Sequence, residues 1–399
     1  MFSPLLHKWI SHLAEGYLYT EDLVKLDQCR PKLGKLTVQE RLLGVSSPLN
    51  LAQWEAMLAN HPDKSYVEYI LHGIKEGFRV GFGRADITES ALASSRKNMQ
   101  SADNNPQVVR DYLDAELRRG VLRGPFLREE VPEVHLNRFG VIPKSSQPGK
   151  WRLIVDLSHP DGRSVNDGIS PELCSLQYVR VDDVAKQLLE LGPGALMAKM
   201  DIKSAYRIVP VHPQDRFLLG MQWEDRVYVD AALPFGLRSA PKIFNALADA
   251  LEWIVKEHGV RYLWHYLDDY ITCGAADSEE CHFNLQLLLD ICRHLGIPLA
   301  QEKLEGPTSC LVFLGILIDT IRGELRLPPG KLERLRAQIS DWLQKKRCTK
   351  RELLSLAGQL QHAATVVRLG RVFLRCLFDL SATVKKNPSS REPKQGGQV

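Results

Sequence analysis

The sequence predicts an α+β fold. Short β-rich runs alternate with amphipathic helical stretches between about residues 106 and 320, and helical patterning stands on both sides of that region. Two of the β-rich runs are separated only by Leu267-Asp268-Asp269, the signature of a tight hairpin with carboxylates at its tip. At 399 residues the chain is long enough for two or three folding units, because domains usually run to roughly 100–200 residues.

In order along the chain, residues 1–104 form a mostly helical region, patterned by Trp54, Leu58, Tyr66, Tyr69 and Ile70. His61-Pro62-Asp63 and the glycine-rich Gly77–Gly83 stretch interrupt it, and it shows no readable chemistry. From Pro106, the residues Val109, Leu113 and Leu117 keep one face over a helix ending at Gly120, where glycine can take the left-handed cap conformation. Gly140–Lys144 and Lys150–Leu157 read as a hairpin whose turn holds Pro148-Gly149, a pair suited to the centre of a type II turn. Ala195–Met200 reads as a short buried strand ending at Asp201.

Pro241 opens a helix with Ile243, Phe244, Leu247, Leu251 and Ile254 on one side, closed by Gly259. Tyr262–Tyr266 and Tyr270–Cys273 are the strands of the acidic hairpin. A helix from about Asp277 to Leu295, a strand near Ile297–Glu302 and the apolar run Leu311–Ile318 complete the region. Beyond it, Leu332, Leu335, Ile339 and Trp342 mark one helix face, and Thr349 with Glu352 matches the capping box of a second helix. From Ser381 the sequence turns to Lys, Pro, Ser and Gly, which cannot bury enough apolar area to offset ordering, so residues 381–399 are expected to be a disordered tail.

Composition narrows the class. With 44% hydrophobic and 25% charged residues, the chain is unlike a disordered or membrane protein, and no stretch approaches the roughly 18 apolar residues of a spanning helix. A soluble protein is expected. The eight cysteines form no C-x-x-C pair and the N-terminus begins no signal peptide, which predicts reduced thiols in the cytoplasm or nucleus. From Arg322 onward 17 Lys and Arg face 6 Asp and Glu, a net +11 that leaves −7 for the rest. A basic C-terminal part of this kind suits a polyanionic partner.

Asp201, Asp268 and Asp269 are the candidate chemistry. Two-metal nucleotidyl transfer needs carboxylates that converge on a pair of divalent ions roughly 4 Å apart, and each of these residues lies at the end or tip of a β element. Taken alone, an Asp-Asp pair at a hairpin tip is ordinary turn chemistry and an Asp after a strand is an ordinary helix cap.

An ordered set of segments changes that balance. Trp151-Arg152-Leu153-Ile154-Val155-Asp156, Met200-Asp201-Ile202-Lys203-Ser204-Ala205-Tyr206 and Leu233-Pro234-Phe235-Gly236-Leu237-Arg238-Ser239-Ala240-Pro241 are followed by Tyr266-Leu267-Asp268-Asp269, Leu295-Gly296-Ile297 with Lys303, and Phe313-Leu314-Gly315. Between about Pro106 and Leu380 the chain resembles a reverse transcriptase. The resemblance implies a right-hand polymerase, with fingers and an antiparallel palm sheet packed on helices over 105–320 and thumb or connection-like helices over 321–380. It implies RNA-directed DNA polymerase activity on an RNA template and a DNA primer with deoxynucleoside triphosphates, using two Mg²⁺ ions for which Mn²⁺ can substitute.

Residue by residue, the resemblance makes Asp201, Asp268 and Asp269 the metal ligands and Lys303 the acid that protonates departing pyrophosphate. Arg152 with Lys144 or Lys150 would clamp the triphosphate, Phe235 and Gly236 would meet the nucleotide, and Tyr206 would exclude a 2′-hydroxyl. Tyr266, Phe313, Leu314 and Gly315 would hold the primer end, and Gly358, Gln361 and His362 would track the duplex. Phe235-Gly236 stands where retroviral relatives often carry glutamine, so this part is similar instead to gypsy-type and pararetroviral enzymes. His362 replaces an aromatic residue.

The stretch Trp54 to Phe82, with Val155–Pro160 and Ser164–Asp167, resembles DIRS-type retrotransposons. Such elements carry a ribonuclease H after the thumb, but fewer than about twenty residues follow the last expected helix, too few for a domain. Ribonuclease H is therefore expected to be absent from this chain, either because the copy is truncated or divergently spliced or because that activity, like a recombinase, is supplied separately by the same element. The competing reading is a catalytically inactive nucleic-acid-binding relic, against which all three aspartates are retained.

Overall fold

A computed structural model describes residues 37–83, 97–143, 149–367 and 369–383. Lys144, the turn Ser145–Pro148 and residues 384–399 of the expected tail lie outside them, as do the first 36 residues.

Helices α1 (Val38–Leu43), α2 (Leu51–Leu58) and α3 (Lys64–Glu76) come first. The break between α2 and α3 falls at His61-Pro62-Asp63, where Asp63 accepts from the Ser65 hydroxyl and the Tyr66 N–H and so serves the opening turn of α3. Short α4 (Gln100–Asp103) precedes α5 (Pro106–Arg118), which buries Val109 and Leu113 and is followed by Gly120 at φ +69°. Next come β1 (Leu122–Phe126), β2 (Leu136–Pro143), β3 (Trp151–Asp156), α6 (Val181–Leu191), β4 (Leu196–Asp201), β5 (Gly220–Trp223) and β6 (Arg226–Asp230). Helix α7 (Ala240–Glu257) leads into β7 (Leu263–Tyr266), β8 (Asp269–Gly274), α8 (Glu280–His294) and β9 (Glu305–Thr308). Strands β10 (Cys310–Phe313), β11 (Ile316–Asp319) and β12 (Glu324–Arg326) are followed by α9 (Pro329–Gln344), α10 (Lys350–Ala363) and α11 (Gly370–Thr383).

These elements form two compact units, each gathered from separate stretches. One takes its described residues from Met1–Ser47, His72–Pro171 and Val209–Ala240, the other from Pro48–Leu71, Glu172–Ile208 and Pro241–Val399. The first unit holds a five-stranded sheet in the order β1-β6-β5-β2-β3, antiparallel except between β2 and β5. Strands β2 and β3 pair from Arg138↔Asp156 to Pro143↔Trp151, the expected hairpin. Leu153 and Val155 are buried while Arg152 before them is exposed and Ile154 between them is half-buried, the period-two pattern of a half-buried strand.

The second unit holds the antiparallel sheet β7-β8-β4-β9. On one face, Tyr270 donates its hydroxyl to the Ala248 carbonyl of α7, and the Asn284 amide of α8 donates to the Cys273 carbonyl. On the other, Met197, Ile271 and Cys273 share a core with Leu311, Phe313, Ile316, Leu335 and Ala363, which packs β10, β11, α9 and α10 against the sheet. Trp54 of α2 is fully buried in this unit and its indole donates to the Leu295 carbonyl at 3.0 Å. The sequence left residues 1–104 without a role, and this one anchor ties α2 to the end of α8.

Four expectations need correction. Ile297–Glu302 is not a strand: Leu299 makes a single bridge to Ile202, and Gln301–Lys303 is a 3₁₀ turn. Pro298 has no N–H for a ladder, and the segment crosses the end of β4 instead, with Lys203 N–H on the Pro298 carbonyl and Ala300 N–H on the Asp201 carbonyl. Helix α8 begins at Glu280 rather than Asp277. Helix α11 runs to Thr383, so Ser381–Thr383 are helical, the Ser381 hydroxyl bonding the Phe378 carbonyl. On α9, Leu335 is buried but Ile339 is exposed, because the apolar stripe outruns the core it meets.

Candidate active site

The β7–β8 hairpin turns in two residues, not three. Tyr266 pairs with Asp269, leaving Leu267 and Asp268 as the turn, and Leu267 adopts φ +55°. A leucine in the left-handed region costs on the order of 1–2 kcal/mol, tolerated where surrounding structure fixes it. Here the Asp268 carbonyl accepts from Ile202 N–H at 3.0 Å, which stitches the tip to the end of β4. Asp269 is consequently the first residue of β8 and stands opposite Asp201 in the β4–β8 ladder. All three aspartates gather at one corner of the sheet.

Like charges at such a corner must be compensated. Asp201 is buried, and Lys303 Nζ stands 2.6 Å from its Oδ2. Burial first, then Asp201 and Asp268, push the Asp269 carboxyl up to about 6, Lys303 opposing. Burial works against the Lys303 charge, but its hydrogen bond to Asp201 and the three carboxylates outweigh it and hold the ammonium above its ordinary range. A cleft of about 560 Å³ lies beside them, lined by Lys199, Asp201, Asp269, Glu302, Lys303 and Glu305 among others. Among the described residues no three His, Cys, Asp or Glu side chains are arranged as a metal-holding group. The donors are right in kind, hard carboxylate oxygens, and the part of the upward push on Asp269 that comes from Asp201 and Asp268, second to burial, is what a divalent cation would relieve.

Tyr206 follows Ser204, which turns the chain at φ +59°, and lies in the 3₁₀ turn Ala205–Ile208. Its ring meets Phe244 edge-on at 5.7 Å, and its hydroxyl is raised to about 12 by burial, then by Asp268, Tyr178 and Tyr266. Tyr178 packs against Tyr266 with ring centroids 4.7 Å apart. Tyr206, Tyr178 and Tyr266 thus form one cluster, with Asp268 beside Tyr206. Tyr178 was not singled out from the sequence, because it lies in an irregular stretch outside any motif.

Of the proposed primer-holding residues, Phe313 is in the core at 1% exposure, and Leu314-Gly315 form the tip of the β10–β11 hairpin at φ +48° and +73°. Two left-handed residues give the turn twist that matches paired strands. His362 Nε2 lies 3.0 Å from the Leu314 carbonyl and 3.2 Å from Lys331 Nζ, so His362 faces the hairpin while Gly358 and Gln361 of the same helix are exposed.

The nucleotide-facing candidates other than Tyr206 lie in the first unit. The Arg152 guanidinium sits 5.1 Å above the Phe235 ring. Gly236 has φ +103°, and a Cβ there would lie 2.5 Å from the Val155 carbonyl, so no other residue fits. Asn166, buried at 4% exposure, donates to the Gly236 carbonyl at 2.8 Å and accepts from Arg238 N–H at 2.8 Å, which holds the loop as a strand neighbour would. The Ser239 hydroxyl bonds the Val80 carbonyl, and Val80 N–H bonds Asp215, so the glycine-rich Gly77–Gly83 stretch supports the same loop. Asn166 had been noticed only as part of a longer resemblance, since a buried amide leaves no periodic signal. Lys150 is exposed, and Lys144 lies outside the described residues.

Residues 142–318 match a family described as "Reverse transcriptase (RNA-dependent DNA polymerase)". The chain is 22% identical over 258 residues to an enzymatic polyprotein of Cestrum yellow leaf curling virus, a match covering 63% of this chain and 37% of that protein. It is 23% identical over 233 residues to the retrovirus-related Pol polyprotein from transposon 412 of Drosophila melanogaster, covering 55% and 18%. Its fold is similar to the foamy viral protease-reverse transcriptase, solved with double-stranded DNA (TM-score 0.54, 17% identity, 86% of this chain and 58% of that one) and with an RNA/DNA hybrid (TM-score 0.52, 16% identity, 86% and 44%). Residues 142–318 are thus similar to the reverse transcriptase family, the chain has the α+β fold of the foamy viral polymerase, and it spans well under half the length of these polyprotein relatives.

Proposed function

We propose that this chain is an RNA-directed DNA polymerase of a retroelement, extending a primer 3′ end with deoxynucleotides by two-metal nucleotidyl transfer. The observation that carries the reading is the convergence of Asp201, Asp268 and Asp269 where the β7–β8 tip is stitched to the end of β4. Asp201 and Asp268 would hold two Mg²⁺, with Asp269 beside them, and the bound ions would supply charge stabilisation for the attacking and leaving oxygens. The protein's own work is placement. Lys303, already at the carboxylates, is positioned to give a proton to the leaving pyrophosphate oxygen. Tyr206, packed on Phe244, presents a fixed wall to the sugar, which favours a substrate without a 2′-hydroxyl.

Arg152 on Phe235, with Gly236, supplies a cationic and flat surface suited to a triphosphate and base. Leu314-Gly315 would meet the primer end, and the exposed face of α10 with its basic neighbours would follow the duplex backbone. The foamy viral enzyme's complexes with DNA and hybrid duplexes support a template and primer as partners. Assignment to a DIRS-type element is supported by the Trp54–Phe82 and Ser164–Asp167 segments, of which Val80 and Asn166 also brace the Phe235-Gly236 loop.

Primer extension on poly(rA)/oligo(dT) tests the reading. Wild type should extend in Mg²⁺, and Asp201→Ala and Asp268→Ala should not. Absence of Mg²⁺-dependent extension by wild type rejects polymerase activity and leaves a nucleic-acid-binding relic.

A further inference from the structure

We propose that Lys199 is a positioning residue that holds the β10–β11 hairpin, and with it a primer end, at a set distance from Asp201; the inference rests on the polymerase reading. Lys199 lies two residues before Asp201 on β4, so both side chains leave the same face of the sheet. The next residue on that face, Met197, is fully buried in the core shared with β10 and β11. Lys199 therefore stands between the carboxylate end of the strand, which lines the cleft, and its dry interior.

A lysine at such a boundary needs partners, because an ammonium removed from water is costly unless it is hydrogen-bonded and neutralised. Lys199 has both. Its Nζ stands 2.8 Å from Glu305 Oε2 of β9 and donates to the Val312 carbonyl of β10 at 2.9 Å, with its side chain 23% exposed. One amine thus joins the carboxylate-bearing strand, the sheet edge and the strand that leads to Leu314-Gly315. An ordinary surface ion pair contributes little and fixes nothing. The bond to a main-chain carbonyl differs, because Val312 is two residues from the tip and paired rigidly to Leu317. Reactions that depend on aligned atoms lose on the order of 100-fold for a 1 Å misplacement, so this tie, which adds to the His362 contact at Leu314, bears on the chemistry without touching substrate.

The test uses the full chain bound to a primer–template duplex whose primer ends in 4-thiothymidine, irradiated and mapped by peptide mass. Wild type should crosslink within residues 310–317. Lys199→Met should cut that yield by about 10-fold, as expected for an end no longer held in reach of one fixed hairpin, with duplex affinity unchanged. Lys199→Arg, which can still donate to Val312, and Glu305→Gln, which spares that bond, should keep the wild-type yield. Equal yield from Lys199→Met, or a wild-type crosslink elsewhere, overturns the proposal. A wild type that crosslinks at the hairpin but does not extend rejects the polymerase reading alone.

Discussion

Asp201 and Asp269 stand opposite each other across β4 and β8, and Lys303 binds only the first of them directly. Asp269 therefore carries a half-buried charge, pressed further by Asp201 and Asp268, that Lys303 offsets only in part. Asp269→Asn should raise stability at pH 7 in EDTA by on the order of 1–3 kcal/mol, the worth of a carboxylate held about two units above its ordinary value, while lowering primer extension at least tenfold. Urea unfolding of both proteins checks the first half, and a destabilised Asn variant would show that the crowding is already relieved.

Tyr206→Val should admit ribonucleotides. The Tyr206 ring is fixed against Phe244, and a pocket that loses one such wall gives up discrimination of about 10–200-fold. The ratio of kcat/KM for dTTP and UTP reports it directly, and an unchanged ratio removes Tyr206 as the sugar gate.

Asn166→Ala should leave the Gly236 carbonyl and the Arg238 N–H without their buried partner, at about 1–3 kcal/mol. Because the freed loop carries Phe235 and Gly236, KM for deoxynucleotide should rise more than kcat falls. Asn166→Asp, which accepts but cannot donate, should behave like the alanine variant in steady-state kinetics.

His135 gives stability a pH dependence. Burial, and then Arg128, lower its pKa from an ordinary 6.5 to about 4. Between those values the unfolded chain binds a proton that the folded chain refuses, so stability is full above pH 6.5 and falls toward pH 4, by on the order of 2–3 kcal/mol. Thermal unfolding across that range should show the slope, and His135→Gln should flatten it.

Trp54→Ala should cost about 3–5 kcal/mol, the usual penalty for emptying a fully buried aromatic site. Loss of the indole bond to Leu295 should release α2 first, visible as faster hydrogen exchange over residues 48–58.

Much of the candidate site was legible because its chemistry sits at strand ends. Asp201 closes an apolar run and Asp268 tops a hairpin, and both patterns are local. Lys303 was placed by its distance from Leu295-Gly296-Ile297, although the strand expected before it became a turn at Pro298. What the sequence concealed are bonds between distant main-chain and side-chain atoms: Asn166 to Gly236, Ser239 to Val80, Lys199 to Val312. Each joins residues at least 70 positions apart through a single polar group, with no periodicity to announce it. Tyr178 was hidden likewise, since its role depends on where an irregular segment comes to rest against Tyr266.

The interleaving of the two units governs how the molecule is made and inherited. The chain passes from one to the other five times, and the first is not complete until Ala240 has been made. During synthesis its early strands must wait for β5 and β6, with apolar faces uncovered and open to capture by chaperones. Exchange of genetic material anywhere between Pro48 and Ala240 would divide both units at once, so across that stretch their sequences descend through generations together.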